Sequence, residues 1–109
     1  MLRRLIGKRI LVVEDDPITK TNVEYALRFA GATIAELPTD RFDVAVLDLR
    51  LGDGETAAPL AAMLASRGIP FMFYTGFPVE AMRHPFPECL ILEKPASTAQ
   101  LLKAVTMIL

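Results

Sequence analysis

Residues 9–13 read RILVV, and Ile10, Leu11, Val12 and Val13 follow one another without the polar alternation of a strand that has one face in water. A continuous apolar run of this kind belongs to a parallel strand covered by helices on both sides, so it predicts a central strand. Similar short runs recur at Asp43–Asp48 (DVAVLD), Phe71–Thr75 (FMFYT) and Leu90–Glu93 (LILE), and Ala32–Ala35 adds a shorter candidate. Longer amphipathic stretches separate them. That alternation implies a parallel sheet wrapped by helices, hence an α/β fold.

The helix signals agree with this frame. Asp16 followed by Pro17 starts a helix, because the Asp oxygen caps free N–H groups and proline is tolerated at the first helical position. Ile18, Asn22, Tyr25, Ala26 and Phe29 share one face at helical spacing, and Gly31 suits the position after the last turn, giving a helix from about Pro17 to Ala30. Leu60, Met63, Leu64 and Arg67 mark a second helix closed by Gly68, with Met63 read as core filler. Ser97 and Gln100 have the spacing of a capping box, and Leu101, Leu102, Val105, Ile108 and Leu109 would bury the face of the last helix.

The chain has 109 residues, enough for one domain with one core, so residues 1–109 are expected to be a single domain without an output module. Half of them are apolar, yet the apolar stretch Ala57–Ala65 contains Pro59 and is much shorter than the roughly 20 residues of a membrane span. Arg3, Arg4, Lys8 and Arg9 are interleaved with too few apolar residues for a secretory signal. These features point to a cytoplasmic protein with no membrane contact, its basic N-terminus a solvated lead-in to the first strand. A net charge of −1 with scattered signs gives no basic face for nucleic acid. Cys89, the single cysteine, excludes an internal disulfide and reads as a small apolar residue before a strand.

Polar residues gather where the predicted strands end. Glu14 and Asp15 follow the first, Asp48 ends the third, Thr75 the fourth, and Lys94 follows the last. In open parallel sheets ligands collect at the carboxyl ends of the strands. Three carboxylates meeting there would repel, by roughly 4 kcal/mol for two charges about 4 Å apart at an effective dielectric of 20. A cation relieves this. Oxygen donors without histidine or cysteine suit a hard ion, Mg²⁺ with Mn²⁺ as the substitute. Asp15 and Asp48 would bind it directly, Glu14 through water, and the backbone carbonyl of Arg50 would complete the shell. Taken singly, each residue has a plainer explanation: Asp15 and Asp16 as helix caps, Asp48 as the start of the turn Leu51–Gly54, Thr75 as a strand end, Lys94 as a surface lysine. Their coincidence at strand ends favours a phosphoryl cradle, in which Thr75 and Lys94 each meet a phosphoryl oxygen and Gly76 leaves room and offers an N–H.

Nearly the whole chain resembles the receiver domains of two-component response regulators, through ILVVEDDP (10–17), DVAVLDLRLGDG (43–54), PFMFYTG (70–76) and LEKP (92–95). The resemblance implies a flavodoxin-like, CheY-like doubly wound sheet. It also implies an Asp48 phospho-acceptor served by a histidine kinase or histidine phosphotransfer protein, with Glu14 and Asp15 as the acidic pair, Thr75 as the switch hydroxyl and Lys94 as its lysine. A cis Lys94–Pro95 peptide is implied too. PFMFYTGF is similar to the PFxFATGUY signature of a single-domain receiver subgroup (FAT GUY) tied to bacterial stress signalling, with Tyr74 in place of alanine.

Two departures from the receiver pattern stand out. Only Gly31–Phe42 are available for a strand and a full second helix, so that helix is expected to be missing or reduced to a turn around Leu37–Pro38–Thr39. Part of a sheet face or edge would then be uncovered and would invite a partner, such as a second copy of the chain. The proline-rich Phe77–Cys89 holds at most a short helix near Val79–Arg83, Ile91 stands where receivers often carry an aromatic switch residue, and His84 reads as a solvated loop residue. Three functions compete: a stand-alone receiver that signals through a downstream protein or acts as a phosphate sink, a receiver-like binding module independent of phosphorylation, and a phosphohydrolase. The last is disfavoured by Arg50, where such enzymes carry a second Asp. The chain is therefore expected to be a phospho-acceptor signalling protein and not an enzyme.

Overall fold

A computed structural model describes residues 4–37, 41–82, 86 and 89–109. The elements in chain order are β1 (Arg9–Val13), α1 (Pro17–Phe29), β2 (Thr33–Ile34), β3 (Val44–Leu47), α2 (Ala58–Ser66), β4 (Phe71–Thr75), α3 (Pro78–Met82), β5 (Leu90–Glu93) and α4 (Thr98–Ile108). All strand pairs are parallel and the sheet order is β2-β1-β3-β4-β5. This is the flavodoxin-like order, and its direction of winding reverses between β1 and β3.

β1, β3 and β4 are sandwiched between two apolar layers. Ile10, Val12, Val44, Val46, Met72 and Tyr74 face α1 and α4, where Val23, Ala26, Leu27, Leu101, Ala104 and Val105 complete one cluster. Leu11, Ala45, Leu47 and Phe73 point the other way and pack with Ala57, Ala61, Leu64 and Ala81. Alternate residues of an apolar strand thus serve opposite cores, which is why the sequence runs show no polar alternation.

Both long helices open as their sequences predict. The Asp16 carboxylate accepts the Thr19 N–H at 3.0 Å and the Thr19 hydroxyl at 2.6 Å, and Ser97 and Gln100 form the reciprocal capping box. The face assigned to α1 is corrected except at Ala26. Ile18, Tyr25 and Phe29 are 73%, 72% and 51% exposed, Asn22 is exposed as well, and the buried residues are Val23, Ala26 and Leu27. α1 carries two apolar stripes, and the one with smaller side chains faces the sheet and α4. Met63 is likewise exposed, with Ala61 and Leu64 turned inward. On α4, Leu109 is exposed, Leu102 and Ile108 are half-buried, and Ala104 takes a core position.

The N-terminal lead-in is more than solvated chain. Leu5 is fully buried, its N–H donating to the Ala30 carbonyl at 3.1 Å, while Arg4 and Lys8 stay on the surface. Gly31 makes this possible: its φ is +99° and a Cβ there would come within 2.6 Å of Ile6 Cγ1. Arg3 lies outside the described residues.

No helix is described between β2 and β3, in line with the shortened connection. The turn expected around Leu37–Pro38–Thr39 falls in part outside the described residues, as do Arg83 and His84. The expected uncovered sheet face is smaller than the shortened connection suggests, since Leu11 and Ala35 are buried, and among the described residues of that connection Leu37 is exposed. A shallow depression of about 370 Å³ remains, lined by Leu11, Ala35, Leu37 and Leu51 together with charged residues that include Glu14 and Asp15. Among the described residues no helix is long and apolar enough to cross a membrane.

Candidate phosphoryl-acceptor site

Every site residue singled out in the sequence lies at the carboxyl ends of the strands. Asp48 follows β3 directly and its N–H donates to the Val13 carbonyl at 2.8 Å, which sets Asp48 beside Glu14 and Asp15 at the end of β1. That is the reversal point of the sheet. Thr75 ends β4 opposite Glu93, and the Lys94 N–H donates to the Thr75 carbonyl at 2.8 Å, so β5 delivers its lysine to the same rim. The Lys94–Pro95 peptide is cis.

Glu14, Asp15 and Asp48 each offer an oxygen, and these atoms lie within 4.8 Å of one another. Lys94 Nζ donates to Asp48 Oδ2 at 2.9 Å and to Glu14 Oε1. Burial raises the Glu14 pKa, and neighbouring Asp48 adds to the rise, outweighing the stabilising bond from Lys94. For Lys94, desolvation acts to lower the pKa, but the bonds to Glu14 and Asp48 together raise it. One ammonium facing three carboxylates leaves a net negative cluster of oxygen donors, and a hard divalent ion fits that set. Asp15 leans on a turn built for it: Gly52 has φ +83°, and a Cβ there would meet Asp15 Oδ2 at 2.8 Å.

Neither a protein-family model nor a curated protein matches the sequence. Solved structures do match. SdrG from Sphingomonas melonis Fr1 is 29% identical, with a TM-score of 0.75 over 93% of this chain and 95% of that one. A response regulator receiver protein from Sinorhizobium medicae WSM419 is 22% identical with a TM-score of 0.82, covering 96% of this chain and 94% of its own. The response regulator PhyR from Brucella abortus is 21% identical with a TM-score of 0.82, and the chain, 99% covered, spans 50% of its length. The chain has the receiver fold.

The receiver rim also contains contacts that sequence reading did not supply. The Thr75 side chain is buried, and its Oγ1 accepts the Phe77 N–H at 3.0 Å. A Cβ on Gly76 would meet nothing within 4 Å, so the space beside it is open. The Arg50 side chain reaches across to α3, where Nε donates to Glu80 Oε2 at 2.8 Å and the guanidinium lies 3.9 Å from the centre of the Phe77 ring. Glu80 is 30 residues away in sequence, so no local pattern announces that link. Tyr74 is buried and its hydroxyl accepts the Ala96 N–H at 3.0 Å. Its presence where the similar signature carries alanine was the available sign.

Proposed function

We propose that this chain is a response regulator receiver that takes a phosphoryl group on Asp48 from a histidine kinase or histidine phosphotransfer protein in an Mg²⁺-dependent reaction. The observation that carries this reading is the Lys94 ammonium shared between Asp48 and Glu14, with the Asp15 carboxylate completing an acidic cluster around the acceptor. Phosphoryl transfer asks the protein mainly for positioning and charge neutralisation.

An Asp48 carboxylate oxygen attacks phosphorus while the bond to the donor nitrogen breaks, and the electron pair leaves on that nitrogen, which takes up a proton. Lys94 then exchanges its carboxylate partner for a phosphoryl oxygen. The Thr75 hydroxyl, held by the Phe77 N–H, binds a second oxygen, and the open space at Gly76 admits the group. Asp15 and Asp48 would hold Mg²⁺, or Mn²⁺ in its place, with Glu14 through water and the Arg50 backbone carbonyl as a further ligand. When bound, the ion neutralises charge on the transferring group.

The output is a protein–protein interaction with a downstream target or a phosphate sink; self-association is a further partner arrangement. The Pro70–Phe77 segment supports the FAT GUY subgroup, and the structural neighbour PhyR is a stress response regulator. A bacterial cytoplasmic location follows from this reading. Incubation with phosphoramidate and Mg²⁺, followed by intact-protein mass spectrometry, tests the proposal. One added phosphoryl group is expected on the wild type and none on Asp48→Asn; equal modification of both proteins would overturn it. Phosphotransfer rates measured against a panel of histidine kinases would then identify the donor.

A further inference from the structure

The ammonium of Lys94 sits at the end of a flexible four-carbon stem, so a defined position beside Asp48 requires neighbours that restrict it. Asp48 and Glu14 hold it through charge, but a phosphoryl oxygen arriving on Asp48 competes for the same protons. Tyr74 makes contacts that do not depend on this competition. It lies in β4 opposite Leu92 of β5, buried against the α1 and α4 layer. Its ring centre is 5.7 Å from Lys94 Nζ, within the distance over which an aromatic face attracts a cation. Its hydroxyl accepts the N–H of Ala96, two residues beyond the lysine. The Lys94 N–H is already tied to the Thr75 carbonyl on the near side. The segment bearing the lysine is therefore fastened at both ends to β4, and the far fastening is a side chain that also faces the ammonium.

We infer that Tyr74 is a positioning residue for Lys94: ring and hydroxyl together hold the ammonium at the acceptor carboxylate and thereby speed phosphoryl transfer to Asp48. This rests on the reading of Asp48 as acceptor. In the test reaction the Asp48 O–P bond forms as the P–N bond of phosphoramidate breaks, the electron pair and a proton leaving as ammonia.

Two variants of the full chain separate the contributions. Tyr74→Phe keeps the ring and loses the bond to Ala96; the rate constant for phosphorylation by phosphoramidate should fall roughly threefold to tenfold. Tyr74→Leu removes both contacts and should lower it further, by roughly tenfold or more. Mg²⁺ affinity, followed by NMR titration, should stay at the wild-type value in Tyr74→Phe, because the metal-side carboxylates are untouched. In the same spectra the Ala96 amide and the Lys94 ε-methylene protons should shift in both variants, the methylene protons more in Tyr74→Leu, which loses the ring as well. Should Tyr74→Leu fail to fold, Tyr74→Phe carries the test alone.

Equal rate constants for wild type and Tyr74→Phe, or an Ala96 amide that does not move when the hydroxyl is removed, would overturn the inference. A parallel loss of Mg²⁺ affinity and rate in Tyr74→Phe would also overturn it, since that marks general loosening of the fold. A wild-type protein that accepts no phosphoryl group at all would instead sink the acceptor reading, and the Ala96 and Lys94 resonances would still report whether Tyr74 holds the lysine.

Discussion

On one face of the sheet α1 and α4 run 13 and 11 residues and both begin on a side-chain cap; on the other, α2 and α3 run nine and five, and α2 has no side-chain cap. The contrast maps onto the site. Glu14, Asp15 and Lys94 leave strands that feed the long, capped helices, whereas Asp48 and Thr75 leave strands that feed the short ones. A helix of five residues has little stability of its own and depends on its contacts. Within the proposed function, Glu14, Asp15 and Lys94 are thus carried on chain that runs into the long, capped helices, whereas Asp48, acceptor and candidate metal ligand at once, and Thr75 sit on connections to the short ones. Within the proposed function, a phosphoryl group on Asp48 would be sensed first through α2 and α3.

The sharpest way to break this comparison is to cut one core side chain from each face. Leu27 on α1 and Leu64 on α2 are both fully buried. Replacing a buried leucine by alanine costs roughly 2–5 kcal/mol, more where the surroundings cannot close around the cavity. Leu27→Ala should fall at the high end of that range and Leu64→Ala at the low end, because the shorter, uncapped helix has more freedom to settle inward. Urea unfolding of the two variants checks this. Equal losses would mean that the faces are equally stiff.

How far the two faces were legible in the sequence differs in the same way. β1, β4 and β5 match their apolar runs residue for residue, and the caps at Asp16 and Ser97 are read correctly because their chemistry is local. The candidate site residues are legible because each one ends a strand or lies within three residues of a strand's carboxyl end, and a parallel sheet brings such ends together. Beyond Ala26, the buried face of α1 was not legible. Ile18, Tyr25 and Phe29 have as good a helical period as Val23, Ala26 and Leu27, and periodicity cannot choose between two stripes when both are apolar. Arg50 and Glu80 could not be paired either, since their meeting depends on how α3 lies against the loop after β3.

Cys89 offers a probe of the face carrying α2 and α3, where, like Phe71, Phe86 and Ile91, it packs half-buried against the apolar cluster. Burial pushes its thiol pKa from 9.0 up to about 11, with a small opposing bond from the backbone of Phe73. The folded state therefore keeps its proton while the unfolded chain loses it. The associated stability is fully present below pH 9.0 and is lost as pH rises to about 11. Discounted for partial exposure, that loss is roughly 1–2 kcal/mol relative to Cys89→Ala at high pH. At pH 8 alkylation should run about 100-fold slower than for a free thiol, in proportion to the thiolate lost by a two-unit shift. Faster labelling would show that this face opens more readily than its packing indicates, which sharpens the contrast with α1 and α4.

The smallest effect on stability and the most local one is expected at Arg50. Its ion pair with Glu80 joins side chains that are both substantially exposed, so Arg50→Ala should cost no more than about 1 kcal/mol globally. Its effect on α3 should be disproportionate, because the guanidinium holds Glu80 and covers Phe77, whose carbonyl accepts the Ala81 N–H at 3.0 Å in the first turn. Hydrogen exchange at Ala81 should quicken in Arg50→Ala, while the amides of Val23 and Leu27 in α1 keep their wild-type rates. Uniform quickening across both helices would show that Arg50 supports the whole fold and would remove the distinction between the anchored and the movable side. An unchanged Ala81 would show that α3 is held without the Arg50 link, and that the loop after Asp48 has no mechanical hold on it.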